Sequence, residues 1–303
     1  MDLEPNTIMK HWRVGKQIGK GGFSSVYDAE QLDGTMKGKF VLKLLSVAVG
    51  GENREHMIEE EVRILRNLRS LKSFPRLVEY FSFQNFKCIV LTKEYADLHV
   101  LLEKNPKKCF EKVTVQKLAY KLLENLRALH ELGIMHRDIK KENICMRDTS
   151  ENAEVVIIDF GLAREFRDSA GVRLPPKRDD DNQMDELLYS SIDVLETNTS
   201  SETDDLIQAC YILAEMRGLD SLCGDNDPDR NMDKKFKLKY DPYNCFPENH
   251  LFLAELFEIV HAQQRFHTPD YNAILETVKG MVPGFDADRP WEWEWGDGML
   301  TLV

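Results

Sequence analysis

The densest chemistry in the chain sits in one short loop, His136-Arg137-Asp138-Ile139-Lys140-Lys141-Glu142-Asn143, directly after a long apolar-striped segment. A carboxylate, an amine and a carboxamide at these spacings suit phosphoryl transfer to a hydroxyl. Asp138 would accept or orient the hydroxyl proton, Lys140 would neutralise the migrating group, and Asn143 would hold a magnesium ion. Four fixed positions of this kind recur by chance about once in 10⁵ windows. Asp159-Phe160-Gly161 closes the apolar run VVIID, where a carboxylate at a strand exit is a natural ligand for a hard cation. By itself that tripeptide is more often an ordinary turn.

Three weaker signals precede these two. Gly19-Lys20-Gly21-Gly22-Phe23-Ser24-Ser25-Val26 lies between β-like runs and is followed by β-branched and aromatic residues rather than a helix. It therefore reads as a glycine-rich hairpin that lets backbone approach a polyphosphate, or equally as a plain hairpin, and not as a dinucleotide-binding turn. Lys43 is a lone cation in the apolar run Phe40-Val41-Leu42-Lys43 and needs an anion if it faces inward, although an edge-strand lysine pointing to water is the commoner case. Glu61 borders the apolar stripe Ile58, Val62, Leu65 of a predicted helix and needs a cation. Taken together, the order of glycine loop, lysine strand, acidic helix, HRD loop and DFG is the order expected of one nucleotide cleft.

The elements that must carry these residues divide into two regions. From Trp12 to Thr92 the pattern predicts five strands, WRVGKQIG, SSVYDAE, KFVLKLL, VEYFSF and KCIVLT, with the helix EHMIEEEVRILRNL between the third and fourth. After Tyr95, Val115, Leu118, Ala119, Leu122, Leu126 and Leu129 mark a strong core helix. Two short β runs, NICM and VVIID, follow it, then a polar stretch from Arg164 to about Leu187, and helices over about 202–217, 247–264 and 269–281. The fold class expected is α+β and bilobal: a small β-rich N-lobe with one main helix, and a larger, mostly helical C-lobe. Any shared ligand is expected where the two lobes meet.

Composition narrows the class further. The 303 residues carry 40 basic and 52 acidic side chains, a net charge of −12, and the pI is about 5.2. Such a chain is repelled by nucleic acid and by anionic membranes, so neither is expected as a partner. The six cysteines are widely spaced, which predicts reduced thiols rather than a zinc site or disulfides. No secretory signal pattern and no apolar run of about eighteen residues occurs, so a cytoplasmic or nuclear setting is expected.

On these residues the chain resembles eukaryotic protein kinases over about residues 12–285. It resembles more narrowly the casein kinase 1 group, and within it the tau-tubulin kinase branch. The narrower features are SVYDA after the glycine loop, Tyr189-Ser190-Ser191, the paired-Asp helix ETDDLIQACYILAEM, RFHTPDYNAILETV, and the lack of Ala-Pro-Glu. The resemblance implies a protein-kinase-like fold, with an N-terminal extension (1–11), an N-lobe (about 12–92), a hinge (about 92–96), a C-lobe (about 97–285) and a Trp/Glu-rich tail (286–303). It implies ATP and Mg²⁺ as cofactors, a protein substrate with serine or threonine as acceptor, and a monomer.

The same resemblance implies roles residue by residue. Ile18, Gly19, Lys20, Gly21, Gly22, Phe23, Ser24, Val26, Val41, Lys43, Leu91 and Glu94 would bind the nucleotide, with Leu91 as gatekeeper and the backbone of Thr92 to Glu94 meeting the adenine. Glu61 would pair with Lys43, and Asp138 and Lys140 would act at the reacting groups. Asn143 and Asp159 would hold the metal, and Asp205 would anchor the catalytic loop.

Departures stand beside these matches. Ser24 replaces the usual third glycine, and Lys141 replaces the group's proline. Asp185-Glu186-Leu187-Leu188 replaces the group's Gly-Thr-x-Arg, after the acidic run Asp179, Asp180, Asp181. These departures leave a nucleotide-binding pseudokinase scaffold as the alternative function, and the acidic segment reads equally as a shift toward basic or neutral substrate sequences or as a solvated surface loop. In the tail, Trp291, Trp293 and Trp295 alternate with Glu292 and Glu294, which in an extended chain puts all three indoles on one side, most simply against the protein's own domain.

Overall fold

A computed structural model describes residues 3–4, 6–21, 24–47, 51–148, 152–178, 188–219 and 227–303. The chain divides into two compact units, Met1–Tyr95 with Ile158–Leu162, and Ala96–Ile157 with Ala163–Val303.

The first unit is built on one antiparallel sheet. Its strands are β1 (Ile8–Met9), β2 (Trp12–Lys20), β3 (Ser24–Gln31), β4 (Phe40–Ser46), β5 (Leu77–Phe83) and β6 (Phe86–Thr92), arranged in the order β1-β2-β3-β4-β6-β5. Strand β1 comes from the residues set apart in the sequence as an extension, and its Met9 is buried. Alternation along β4 sends Phe40, Leu42 and Leu44 to one face, where they pack with Trp12, Tyr27, Cys88 and Val90. The Trp12 indole meets the Phe40 ring edge-on at 5.2 Å, and its Nε1 donates to Glu79 at 2.7 Å. The other face of β4 carries Val41 and Lys43. One helix, α1 (Gly51–Asn67), buries Ile58, Val62, Ile64 and Leu65.

The second unit is mostly helical. Among the described residues its helices are α2 (Leu98–Lys104), α3 (Lys112–Glu131), α4 (Ile192–Thr197), α5 (Glu202–Met216), α6 (Pro228–Tyr240), α7 (Pro242–Cys245), α8 (Leu251–His261) and α9 (Tyr271–Gly280). All six apolar positions read as the stripe of the core helix are buried on α3. Every residue of α5 is buried, so this helix is a post within the unit rather than an amphipathic surface element. Short strands frame the loops between the helices. They are β7 (Ala96–Asp97), β8 (Ile134–Met135), β9 (Ile144–Arg147), β10 (Glu154–Ile157) and β11 (Arg164–Glu165), with β9 between β10 and β7, and β8 paired with β11. At the end of α3 the chain reverses through Gly133 at φ +75°, where a Cβ would lie 2.8 Å from Cβ of Arg167.

The C-terminal residues form a hairpin of β12 (Trp293–Gly296) and β13 (Met299–Leu302). The side chain of Asn105 donates to the carbonyl of Leu302 at 2.6 Å, and the Thr301 hydroxyl to that of Leu101. The three indoles do not share one environment, which corrects the sequence expectation. Trp291 precedes the strand, so the period of two does not extend to it. It is buried, donates from Nε1 to Ala153 O at 2.7 Å, and lies under the Lys117 ammonium at 4.3 Å. Trp295, by contrast, is 72% exposed. Trp291→Ala is therefore expected to lower the unfolding free energy by about 3 kcal/mol. Trp295→Ala should change it by less than about 0.5 kcal/mol. Urea denaturation of the two variants checks the contrast.

Candidate active site

Sheet register places five of the first unit's candidates on one face. Gly19 lies opposite Val26, Val26 opposite Lys43, and Lys43 opposite Ile89, while Val41 two residues away lies opposite Leu91. Residues opposite one another or two apart along a strand project to the same side. Gly19, Val26, Val41, Lys43 and Leu91 therefore share the face opposite the Trp12 cluster. Ile18 and Lys20 lie on β2, with Ile18 exposed, and the hairpin closes with Gly21 N donating to Ser24 O at 2.8 Å. Gly22 and Phe23 lie outside the described residues. After β6, the Thr92 hydroxyl donates to Glu94 at 3.4 Å, and the Lys93 amide is taken by Lys39 O.

Lys43 finds the anions that its burial requires. Its Nζ donates to Glu61 Oε1 at 2.7 Å and to Asp159 Oδ1 at 2.8 Å. Lys43 is 6% and Glu61 2% exposed. Burial pulls the Lys43 amine down, but the Asp159 and Glu61 charges and hydrogen bonds outweigh it and hold it well above the usual lysine range. Burial pushes the Glu61 carboxyl up, against the pull of Lys43. Asp159 takes φ +63°, and Gly161 follows so closely that a Cβ there would sit 3.2 Å from Asp159 Oδ1 and 3.5 Å from Lys43 Nζ. Any larger residue at 161 would press on the pair.

The second unit assembles its own set on the loop between β8 and β9. Asn143 Nδ2 donates both to Asp138 O and to Asp138 Oδ2, each at 2.8 Å. Lys140 Nζ lies 3.1 Å from Asp138 Oδ2. Asp205 on α5 holds the loop by its backbone, accepting from His136 N and Arg137 N, each at 2.7 Å. Arg137 has φ +71°, a strained conformation for a non-glycine residue that such anchoring over-determines.

Three residues that the sequence left without roles complete this framework. His130 Nε2 meets Asp205 Oδ2 at 2.9 Å. Glu215 accepts from Lys141 at 3.2 Å and from the Tyr189 hydroxyl at 2.6 Å. Asp204 accepts from Ser201 N and Arg265 at 2.7 and 3.0 Å, and also from Ser191. Polar residues inside the apolar ETDDLIQACYILAEM run were the available signal for two of these partners. The acidic residues Asp179, Asp180, Asp181, Asp185 and Glu186 lie outside the described residues.

A lysine-bearing antiparallel sheet with one acidic helix, followed by a helical unit whose buried α5 suspends an aspartate loop, defines the protein kinase class. The protein kinase domain matches residues 12–266, and the chain belongs to that family. It is 25% identical over 294 residues to a putative serine/threonine-protein kinase of Caenorhabditis elegans, covering 95% of this chain and 83% of the relative. A putative casein kinase I of the same organism is 22% identical, with 100% and 89% covered. A probable casein kinase I homologue of Encephalitozoon cuniculi is 29% identical over 203 residues, 67% of this chain and 61% of the relative. The solved structure of vaccinia related kinase 3 superposes with a TM-score of 0.75 over 96% of this chain and 94% of that one at 19% identity, a likeness of fold alone. The chain is thus a protein serine/threonine kinase of the casein kinase 1 group.

Lys43→Met strands Glu61 as an unpaired buried carboxylate, and we expect a loss of about 3 kcal/mol in unfolding free energy. Lys43→Met with Glu61→Leu removes both charges and should return to within about 1 kcal/mol of the parent. Equilibrium denaturation of the single and double variants measures both.

Proposed function

We propose that this kinase transfers the γ-phosphoryl of Mg-ATP to serine or threonine hydroxyls with the residues assigned as follows. Lys43, oriented by Glu61, contacts the nucleotide's phosphates, and Asp159 and Asn143 are the metal's protein ligands. Asp138 accepts or orients the proton of the acceptor hydroxyl, and Lys140 offsets charge on the migrating group. Gly19 to Val26 cover the phosphates. Val41, Leu91 and Glu94 belong to the nucleotide's binding surface.

The donor chemistry fits magnesium. Asn143 commits its amide N–H groups to Asp138, which leaves the amide oxygen as its remaining donor. The Asp159 side chain, 45% exposed, adds a carboxylate. Hard oxygen ligands in this small number, with phosphates supplying the rest, are what Mg²⁺ takes. The metal would neutralise phosphate charge. The chain's own part is to fix Asp138, and the observation that carries the reading is the double hydrogen bond from Asn143 to that residue. Within the first unit Lys43 keeps its ion pairs with Glu61 and Asp159, and within the second Asp138 keeps its contacts with Lys140 and Asn143, which supports an active enzyme over the pseudokinase scaffold.

The substrate preference follows from charge. An acidic run at Asp179 to Asp181 and Asp185-Glu186, in a chain of net charge −12, disfavours acidic acceptor segments and favours basic or neutral ones. Five described cysteines are free thiols, which supports a reducing, cytoplasmic setting.

Asp138→Ala should lower kcat by about 10²- to 10⁴-fold, read with radiolabelled ATP and a generic protein acceptor. Parental turnover would remove Asp138 from the base role. On a peptide array, basic and neutral peptides should be phosphorylated ahead of acidic or prephosphorylated ones. The reverse order would end the charge argument.

A further inference from the structure

Behind the Asp138 loop lies a chain of buried hydrogen bonds that the reaction itself does not use. The Tyr271 hydroxyl meets His130 Nδ1, His130 Nε2 meets Asp205 Oδ2 at 2.9 Å, and Asp205 accepts the His136 and Arg137 amides. We propose that Tyr271 is a positioning residue for catalysis. Its hydroxyl fixes the His130 tautomer that donates to Asp205, and thereby the orientation in which Asp205 holds the catalytic loop.

Each step follows from donor and acceptor inventory. An ionised carboxylate only accepts, so Asp205 requires a hydrogen on His130 Nε2. In the tautomer with that hydrogen, Nδ1 is an acceptor and requires a donor, and the Tyr271 hydroxyl is the group placed to supply it. Burial and the Asp205 and Glu202 charges push the Tyr271 ionisation far up, so the hydroxyl keeps its hydrogen. Tyr271 opens α9, whose N-cap Asp270 accepts from Ala273 N at 3.0 Å, so the ring has a fixed base. The opposite tautomer would turn the bare Nε2 lone pair on Asp205 and remove a donor from the carboxylate. Arg137, at φ +71°, depends on that carboxylate, and Asp138 is the next residue.

The proposal rests on Asp138 as the base, so its test includes readouts independent of turnover. In the full chain, Tyr271→Phe should lower kcat about five- to tenfold with the ATP KM unchanged within about twofold, assayed with radiolabelled ATP and a basic protein acceptor. Amide hydrogen exchange at His136 and Arg137 should quicken by a similar factor. Imidazole ¹⁵N spectra should show the single Nε2–H tautomer in the parent and a mixture in Tyr271→Phe. In a His130→Ala background, Tyr271→Phe should have no further effect on kcat. Parental kcat with parental amide exchange in Tyr271→Phe overturns the proposal, as do effects of the two variants that multiply. If His130→Ala fails to fold, the exchange and ¹⁵N measurements on Tyr271→Phe decide. Full activity in Asp138→Ala would instead sink the assignment of the base, leaving the Tyr271 result to stand or fall on amide exchange.

Discussion

The catalytic loop depends on one buried carboxylate. Asp205 is 1% exposed, and taking an ion out of water costs several kcal/mol unless its lone pairs are filled. Burial pushes its pKa up, but the hydrogen bond from His130 and the amides it accepts outweigh that and leave it below the usual aspartate value. The charged form is therefore the stable one inside the unit. A carboxylate so held tolerates little displacement, and both amides it grips belong to the two residues before Asp138. The same helix serves a second segment. Asp204, one position away and so rotated by about 100°, accepts from Ser201, Ser191 and Arg265, which fixes the N-termini of α4 and α5.

The first unit solves a similar problem in a different way. Lys43 and Glu61 are both buried, and a buried ion pair is weak evidence for stability because an apolar pair of the same volume often does as well. Its presence is better explained by what it leaves available. The Asp159 side chain is half exposed while Lys43 and Glu61 are not, so the network has one open end. The left-handed backbone at Asp159 and the absence of a Cβ at Gly161 both serve that end. The buried pair lies on the helix side and the exposed carboxylate on the other.

Much of this was legible in the sequence wherever a local period carried the information. In β4 Lys43 stood out as the lone cation of an apolar run, though alternation did not show which way it faced, and the stripe of α1 left Glu61 at its border. The five strands read between Trp12 and Thr92 are β2 to β6. What escaped was short or polar. Helix α6 is rich in lysine, and only its cap, Asp227 accepting from Asp229 and Arg230 with Pro228 at the first turn, announced it. Helix α2 has seven residues, too few for a period to register. The tail misled because alternation was extended back from Trp293 to Trp291, which precedes the strand. The roles of His130, Glu215 and Tyr271 are set by partners about 26 to 141 residues distant, and no spacing rule reaches that far.

Lys141 shows how a departure from a family pattern acquires a cause. From the sequence it was a lysine where the group has proline, outside the reacting atoms. In the structure its ammonium meets Glu215, whose side chain is 7% exposed and also takes the Tyr189 hydroxyl. Proline at 141 would leave that buried carboxylate with a phenol as its partner among these three and no cation from the loop. The lysine therefore links the start of the Lys141–Asn143 turn to the Tyr189 segment through α5. Because Glu215 is compensated within the chain, it offers little net charge to a basic substrate. The acids of α5, all buried, are therefore not what a basic substrate would meet.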